Sequence, residues 1–163
     1  MHNISIDTLS VIARQCLAVT CLQRFCRHFD VDHPALSAFA AHVWKVAQVG
    51  PEDFAAWERG FASLAVTGMG DPWPEDVRAP LPGHLLGTLE ALVQHVLETS
   101  ACTWHGDDLA ASRRQLEAVF DICARHDVAV PQLGRYAQPD AALRGGWGPV
   151  LTDEEVRAWQ ALI

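Results

Sequence analysis

Apolar side chains recur along this chain at steps of three and four. No pair of alternating apolar runs flanks a hairpin signal. Leu9, Ile12, Cys16, Val19, Leu22, Phe25, Cys26 and Phe29 carry the rhythm furthest, and that spacing marks one face of a helix. With 163 residues, a chain patterned this way buries its stripes by packing helix on helix around one core. The expected fold class is all-α: a single-domain bundle of five or six helices spanning residues 1–163, since domains cluster near ~100–150 residues.

Punctuation places the elements. Asp7 is the expected N-cap of a first helix running to Phe29, which Pro34 then halts because the residue before proline avoids helical geometry. A second helix is expected from Ala35 to Gln48. Gly50-Pro51 suits a helix end followed by a helix start, with Glu52 and Asp53 favourably placed in the next first turn. That third helix buries Phe54, Trp57, Phe61 and Leu64 and ends near Val66. Residues 67–83 hold Pro72, Pro74, Pro80 and Pro82 with Gly68, Gly70 and Gly83, an irregular stretch of a length often tied to function. The broad apolar face of His84–Thr99 predicts a central fourth helix. A fifth starts at Asp107 or Asp108, and residues 132–151 read as irregular. Thr152 with Glu155 forms a capping box opening a last helix, docked by Val156, Trp159, Leu162 and Ile163.

Composition limits the partners. Twenty acids against twelve bases give a net charge of −8, which leaves no basic stripe to displace counterions from nucleic acid and none for an anionic membrane surface. No apolar run approaches the ~18 residues of a membrane span, and MHNISIDTLS lacks the basic and apolar parts of a signal peptide. Eleven arginines against the single Lys45, with abundant alanine, point to GC-rich bacterial coding. The expected location is the cytoplasm. The five cysteines, Cys16, Cys21, Cys26, Cys102 and Cys123, are odd in number and lack C-x-x-C spacing, so they read as reduced thiols filling the core.

Motifs for chemistry are sparse. There is no phosphate-binding glycine loop, no nucleophile elbow and no H-E-x-x-H. Cys26, His28 and His33 are close in sequence, but two residues on a helix differ by about 200°, which sends Cys26 and His28 opposite ways. His105 with Asp107 and Asp108 is a second metal candidate, with an N-cap as the simpler role for either aspartate. Cys102 near His105 is the one nucleophile–base pairing in reach. Neither a metal nor a cofactor is expected. Acidic residues gather at helix ends and loops: Asp30, Asp32, Asp71, Glu75, Asp76, Glu98, Asp107, Asp108, Asp121 and Asp127. Shared on one face, they would steer a basic protein partner. Trp73 is either an exposed anchor among its prolines or a pin holding the loop to the core.

The order of features resembles the small helical immunity proteins of bacterial polymorphic toxin systems. The residues that carry it are Phe25-Cys26-Arg27-His28-Phe29-Asp30-Val31-Asp32-His33-Pro34, then Val43-Trp44 and Phe54-Ala55-Ala56-Trp57-Glu58. Gly68-Met69-Gly70-Asp71-Pro72-Trp73-Pro74, Glu98–Gly106 and Val130-Pro131 complete it. The resemblance implies a cytoplasmic, non-catalytic protein that occludes one cognate toxin; it carries over no catalytic residues and assigns no contact positions. The acidic, loop-rich surface supplies the candidate partner-binding residues, Asp71, Trp73, Glu75, Asp76, Trp104, His105, Asp107 and Asp108, facing a toxin with a basic active-site cleft. The alternatives are a small acidic secretion chaperone holding an exported effector, and an enzyme using Cys102 and His105 or a histidine-bound metal.

Overall fold

A computed structural model describes residues 4–163, and within them the secondary structure is helical throughout. Seven α-helices follow one another: α1 (Val11–His28), α2 (Pro34–Trp44), α3 (Phe54–Gly60), α4 (Glu75–Arg78), α5 (Gly83–Ala101), α6 (Leu109–Arg125) and α7 (Asp153–Gln160). That exceeds the five or six expected, because the proline- and glycine-rich stretch contains the single turn α4. Short 3-10 turns at Ile6–Thr8, Lys45–Gln48, Phe61–Ser63, Leu133–Tyr136 and Leu143–Gly146 join or extend them.

The packing is organised around α1. Every residue from Val11 to Leu22 is buried, with α5, α6 and α2 against different sides. The helix expected to be central, α5, packs on both α1 and α6 as its broad apolar face predicts, but α1 meets more elements. Such a helix must satisfy its polar side chains internally. Arg14 donates from Nε to the Ile6 carbonyl at 3.2 Å and from Nη1 to the Leu109 carbonyl at 2.9 Å. Gln15 donates to the Val96 carbonyl at 2.6 Å, and Thr20 Oγ1 accepts from the Tyr136 hydroxyl at 2.9 Å.

The helix ends revise several expected boundaries. Ser10, not Asp7, caps α1 by accepting from the Ala13 N–H at 3.0 Å; Asp7 lies in the preceding 3-10 turn and pairs with Arg113 at 2.8 Å. The C-terminal end of α1 is where it was expected, at His28 with Phe29 as its cap. Asp30 turns left-handed at φ 51°, and the amides of Val31 and Asp30 reach back to the carbonyls of Cys26 and Arg27. The same pair of bonds ends α6, with Asp127 at φ 57° and Val128 bonded to Cys123. Both are Schellman closures with aspartate where glycine is usual. α2 begins at Pro34 and tightens to 3-10 over Lys45–Gln48. Pro51–Asp53 form a turn, so α3 starts only at Phe54 and ends at Gly60 rather than near Val66. The expected caps at Asp108 and at Thr152 with Glu155 are both present.

Two loops fit only because of glycine. At φ 76°, Gly68 lies so close to α2 and α5 that a Cβ would sit 2.8 Å from the Phe39 ring and 2.9 Å from Leu97 Cβ. Gly148, at φ 79°, passes the start of α1, where a Cβ would meet Ser10 Cβ at 2.5 Å. That close approach lets residues 132–151 cross the α1 N-terminus, where the Trp147 carbonyl accepts from the Ile12 N–H at 3.3 Å.

Candidate functional site

The sequence-selected residues fall into two groups. Asp71 and Trp73 lie beside the middle of α5, around Glu90 and Gln94, and Glu75 and Asp76 follow in α4. Trp104, His105, Asp107 and Asp108 lie beyond its C-terminus, about 16 Å further along the helix at 1.5 Å per residue from Glu90. Within the first group Trp73 is only 7 % exposed and belongs to the core. It pins the loop and does not present itself as an exposed anchor, which corrects its place among the partner-binding candidates. Asp71 accepts from Thr67 Oγ1 at 3.0 Å, and Glu75 with Asp76 opens α4 on the exposed side.

The second group borders a built feature. Trp104 packs at ring-centroid distances of 6.0 Å from Phe54, 5.5 Å from Trp57 and 5.8 Å from Phe61, and Phe54 meets Trp147 at 5.6 Å. Trp57 and Phe61 are buried beneath, while Phe54, Trp104 and Trp147 are half-buried and open to solvent. These three rings, Pro51 and Arg144 wall a recess of about 200 Å³. The base is rigid: the Trp57 indole donates to the His42 carbonyl at 2.9 Å, and His42 Nε2 donates back to the Trp57 carbonyl at 2.8 Å.

Arg144 is the unforeseen member. It sits left-handed at φ 54° in the Leu143–Gly146 turn, which Gly145 continues at φ 66°. Its Nε donates to the Gly148 carbonyl at 2.7 Å and its Nη1 to the Val49 carbonyl at 3.2 Å, while its buried Nη2 has no partner among the described residues. Burial pushes the guanidinium pKa below its ordinary value. A strained backbone and an unused donor are features that cluster at binding sites. Trp147 was missed along with it, because residues 132–151 carry no helical period; the one signal is the Arg-Gly-Gly-Trp run, where paired glycines beside a tryptophan suggest a sharp turn presenting an aromatic.

Carboxylates lie in the segments next to the opening. Glu52 and Asp53 are exposed between Pro51 and Phe54, and Asp107 reaches within 3.7 Å of where a Gly145 Cβ would lie. Glu58 accepts from His105 Nε2 at 3.0 Å. Asp108 is exposed but already occupied as the α6 N-cap, accepting from the Ala111 N–H at 2.8 Å. Asp30 and Asp127, which close α1 and α6, lie far along the chain from this rim and serve those turns.

Catalytic pairing of Cys102 with His105 does not form here, since His105 bonds Glu58 and the Cys102 thiol faces the Asp108 carbonyl at 4.0 Å. Burial, then the charges of Glu98 and Asp108, push the Cys102 pKa up to about 11, opposite to activation. Iodoacetamide labelling of Cys102, followed by peptide mass spectrometry, is therefore expected to speed up about tenfold per pH unit from pH 7 to 10; a plateau below pH 9 would contradict this. Among the described residues no group of three or more His, Cys, Asp or Glu converges on a metal position. Cys26 and His33 line one groove, whereas His28 lies over Phe29 with ring centroids 4.7 Å apart. No described helix is long and apolar enough to cross a membrane. No protein-family model, curated protein or solved structure matches the chain.

Proposed function

We propose that this chain is a non-catalytic binding protein that neutralises a cognate bacterial toxin domain by seating on it and occluding its basic cleft. The observation that carries the reading is the recess of half-buried Phe54, Trp104 and Trp147 with Arg144, next to which the chain places the exposed Glu52, Asp53 and Asp107. Tryptophan and arginine in a partly dry pocket are the residue types that dominate binding energy in protein interfaces. Neighbouring charges of one sign select an oppositely charged partner and speed its approach. The resemblance to immunity proteins and the net charge of −8 point the same way. Action in the cytoplasm, without nucleic acid, membrane or cofactor, belongs to the same proposal.

The recess itself suits a folded partner better than a client helix. About 200 Å³ holds one or two side chains of a folded partner, whereas a client helix needs a trough for a cylinder roughly 10–12 Å wide. The test is protection. A partner recovered with the tagged chain from its source organism is expressed in a neutral host alone and together with the chain. Growth arrest by the partner alone, relieved by co-expression, supports neutralisation; a partner harmless by itself overturns it.

A further inference from the structure

A second cavity, of about 500 Å³, lies away from the aromatic recess, between the C-terminal half of α1, α2 and the last residues of the chain. Its volume falls within the ~300–1,000 Å³ of small-molecule sites. Leu22, Cys26, Leu36, Ala40 and Trp44 give it an apolar wall. Gln23, Arg27, Asp32, His33, Ser37 and Gln160 are its polar side chains, and three of them are held by hydrogen bonds. His33 Nδ1 accepts from the Ala35 N–H at 3.1 Å as the cap of α2, which leaves its proton on Nε2. Gln23 Oε1 accepts from the Trp44 indole at 2.8 Å, which leaves its NH2 group as the free end. Arg27 Nη1 donates to the Ile163 main-chain oxygen at 2.7 Å, and its other N–H groups make no bond among the described residues.

The free ends of the held side chains, Gln23, Arg27 and His33, are donors, beside the hydroxyl of Ser37 and the amide of Gln160. Fixed donors beside an apolar wall recognise an acceptor-rich head on an apolar body, and holding them in place beforehand lowers the ordering cost of binding. Asp32 is the carboxylate of the lining and is exposed; it opposes a second negative charge and so disfavours phosphates. We propose that the groove between α1 and α2 binds a small monocarboxylate with an apolar body, of the medium-chain or aryl type. The site is independent of the toxin-binding proposal, and its test involves no protein partner.

The probes are octanoate, octylamine and inorganic phosphate, titrated into the whole chain while the Trp44 indole N–H and the His33 ring are followed by NMR. Octanoate is expected to shift both signals saturably and to bind at least about tenfold tighter than octylamine, with phosphate leaving both unmoved. Arg27→Gln, at an exposed position, is expected to abolish that preference for the acid. His33→Asn keeps a capping side chain but lacks the Nε2 donor, and is expected to weaken octanoate several-fold. Equal binding of acid and amine would reduce the groove to an apolar sink and overturn the proposal. Tighter binding of the amine, or no saturable shift with octanoate, would overturn it as well.

Discussion

Phe61→Ala is expected to be among the most damaging single substitutions in the chain, lowering unfolding free energy by about 3–5 kcal/mol. The ring is fully buried and touches Phe39, His42, Trp57 and Trp104, at centroid distances of 6.2, 4.5, 5.2 and 5.8 Å. Alanine leaves a void that those rings cannot fill together, because His42 and Trp57 are tied to each other's main chain. At roughly 2–4 °C per kcal/mol for a chain of this size, the melting temperature should fall by about 10 °C. Phe61→Leu, which keeps most of the volume, is expected to cost far less. Guanidinium denaturation followed by far-ultraviolet circular dichroism gives both values. A loss below 1 kcal/mol for the alanine variant would mean that the aromatic layer is not a packed unit.

The second large effect falls on partner binding and separates two contributions. Trp104→Ala removes a wall of the recess and is expected to raise the dissociation constant at least about thirtyfold, mainly through faster dissociation. Asp107→Lys with Asp108→Asn reverses charge on the rim and is expected to slow association several-fold at low salt, with the difference vanishing at high salt. Asparagine is needed at 108 because Asp108 caps α6; lysine there would remove the cap and cost about 1 kcal/mol of stability. Surface plasmon resonance against the recovered partner at two salt concentrations reads both rates. Unchanged dissociation for Trp104→Ala in a folded protein would place the interface elsewhere.

Local signals in the sequence carry most of the helices. Thr152 with Glu155 and Asp108 three residues before Ala111 act through neighbouring backbone groups, so their role is readable wherever they occur. The boundaries that fail depend on distant packing. Asp7 is as good a cap by type as Ser10, but only Ser10 lies where the chain enters the core and also meets Gln138. The end of α1 falls within one residue of the expected Phe29, but it is closed by a left-handed Asp30, as α6 is by Asp127. In the sequence alone that role is hidden, since aspartate in this conformation is less usual than glycine. The surroundings of α1 are illegible for a related reason: Arg14, Gln15 and Thr20 are spread around the helix, and their partners at Ile6, Leu109, Val96 and Tyr136 are named only by the fold.

The candidate site divides the same way. Trp104, His105, Asp107 and Asp108 stand out as an aromatic and charged cluster before a helix. Phe54 and Trp57 stand out as a helical stripe, without any sign that the first borders solvent and the second lies beneath. Arg144 and Trp147 come from a segment without periodicity, and only the close passage of Gly148 against Ser10 brings them to the recess.

The central claim is that the chain silences a partner by occupying it, and an activity titration tests that most directly. The toxic activity of the recovered partner is measured with increasing amounts of the chain, beside the Trp104→Ala variant. The account predicts a linear fall to no activity at one equivalent of the chain, and a shallow, incomplete fall with the variant. Full activity in the presence of excess chain, or equal inhibition by the variant, would contradict it.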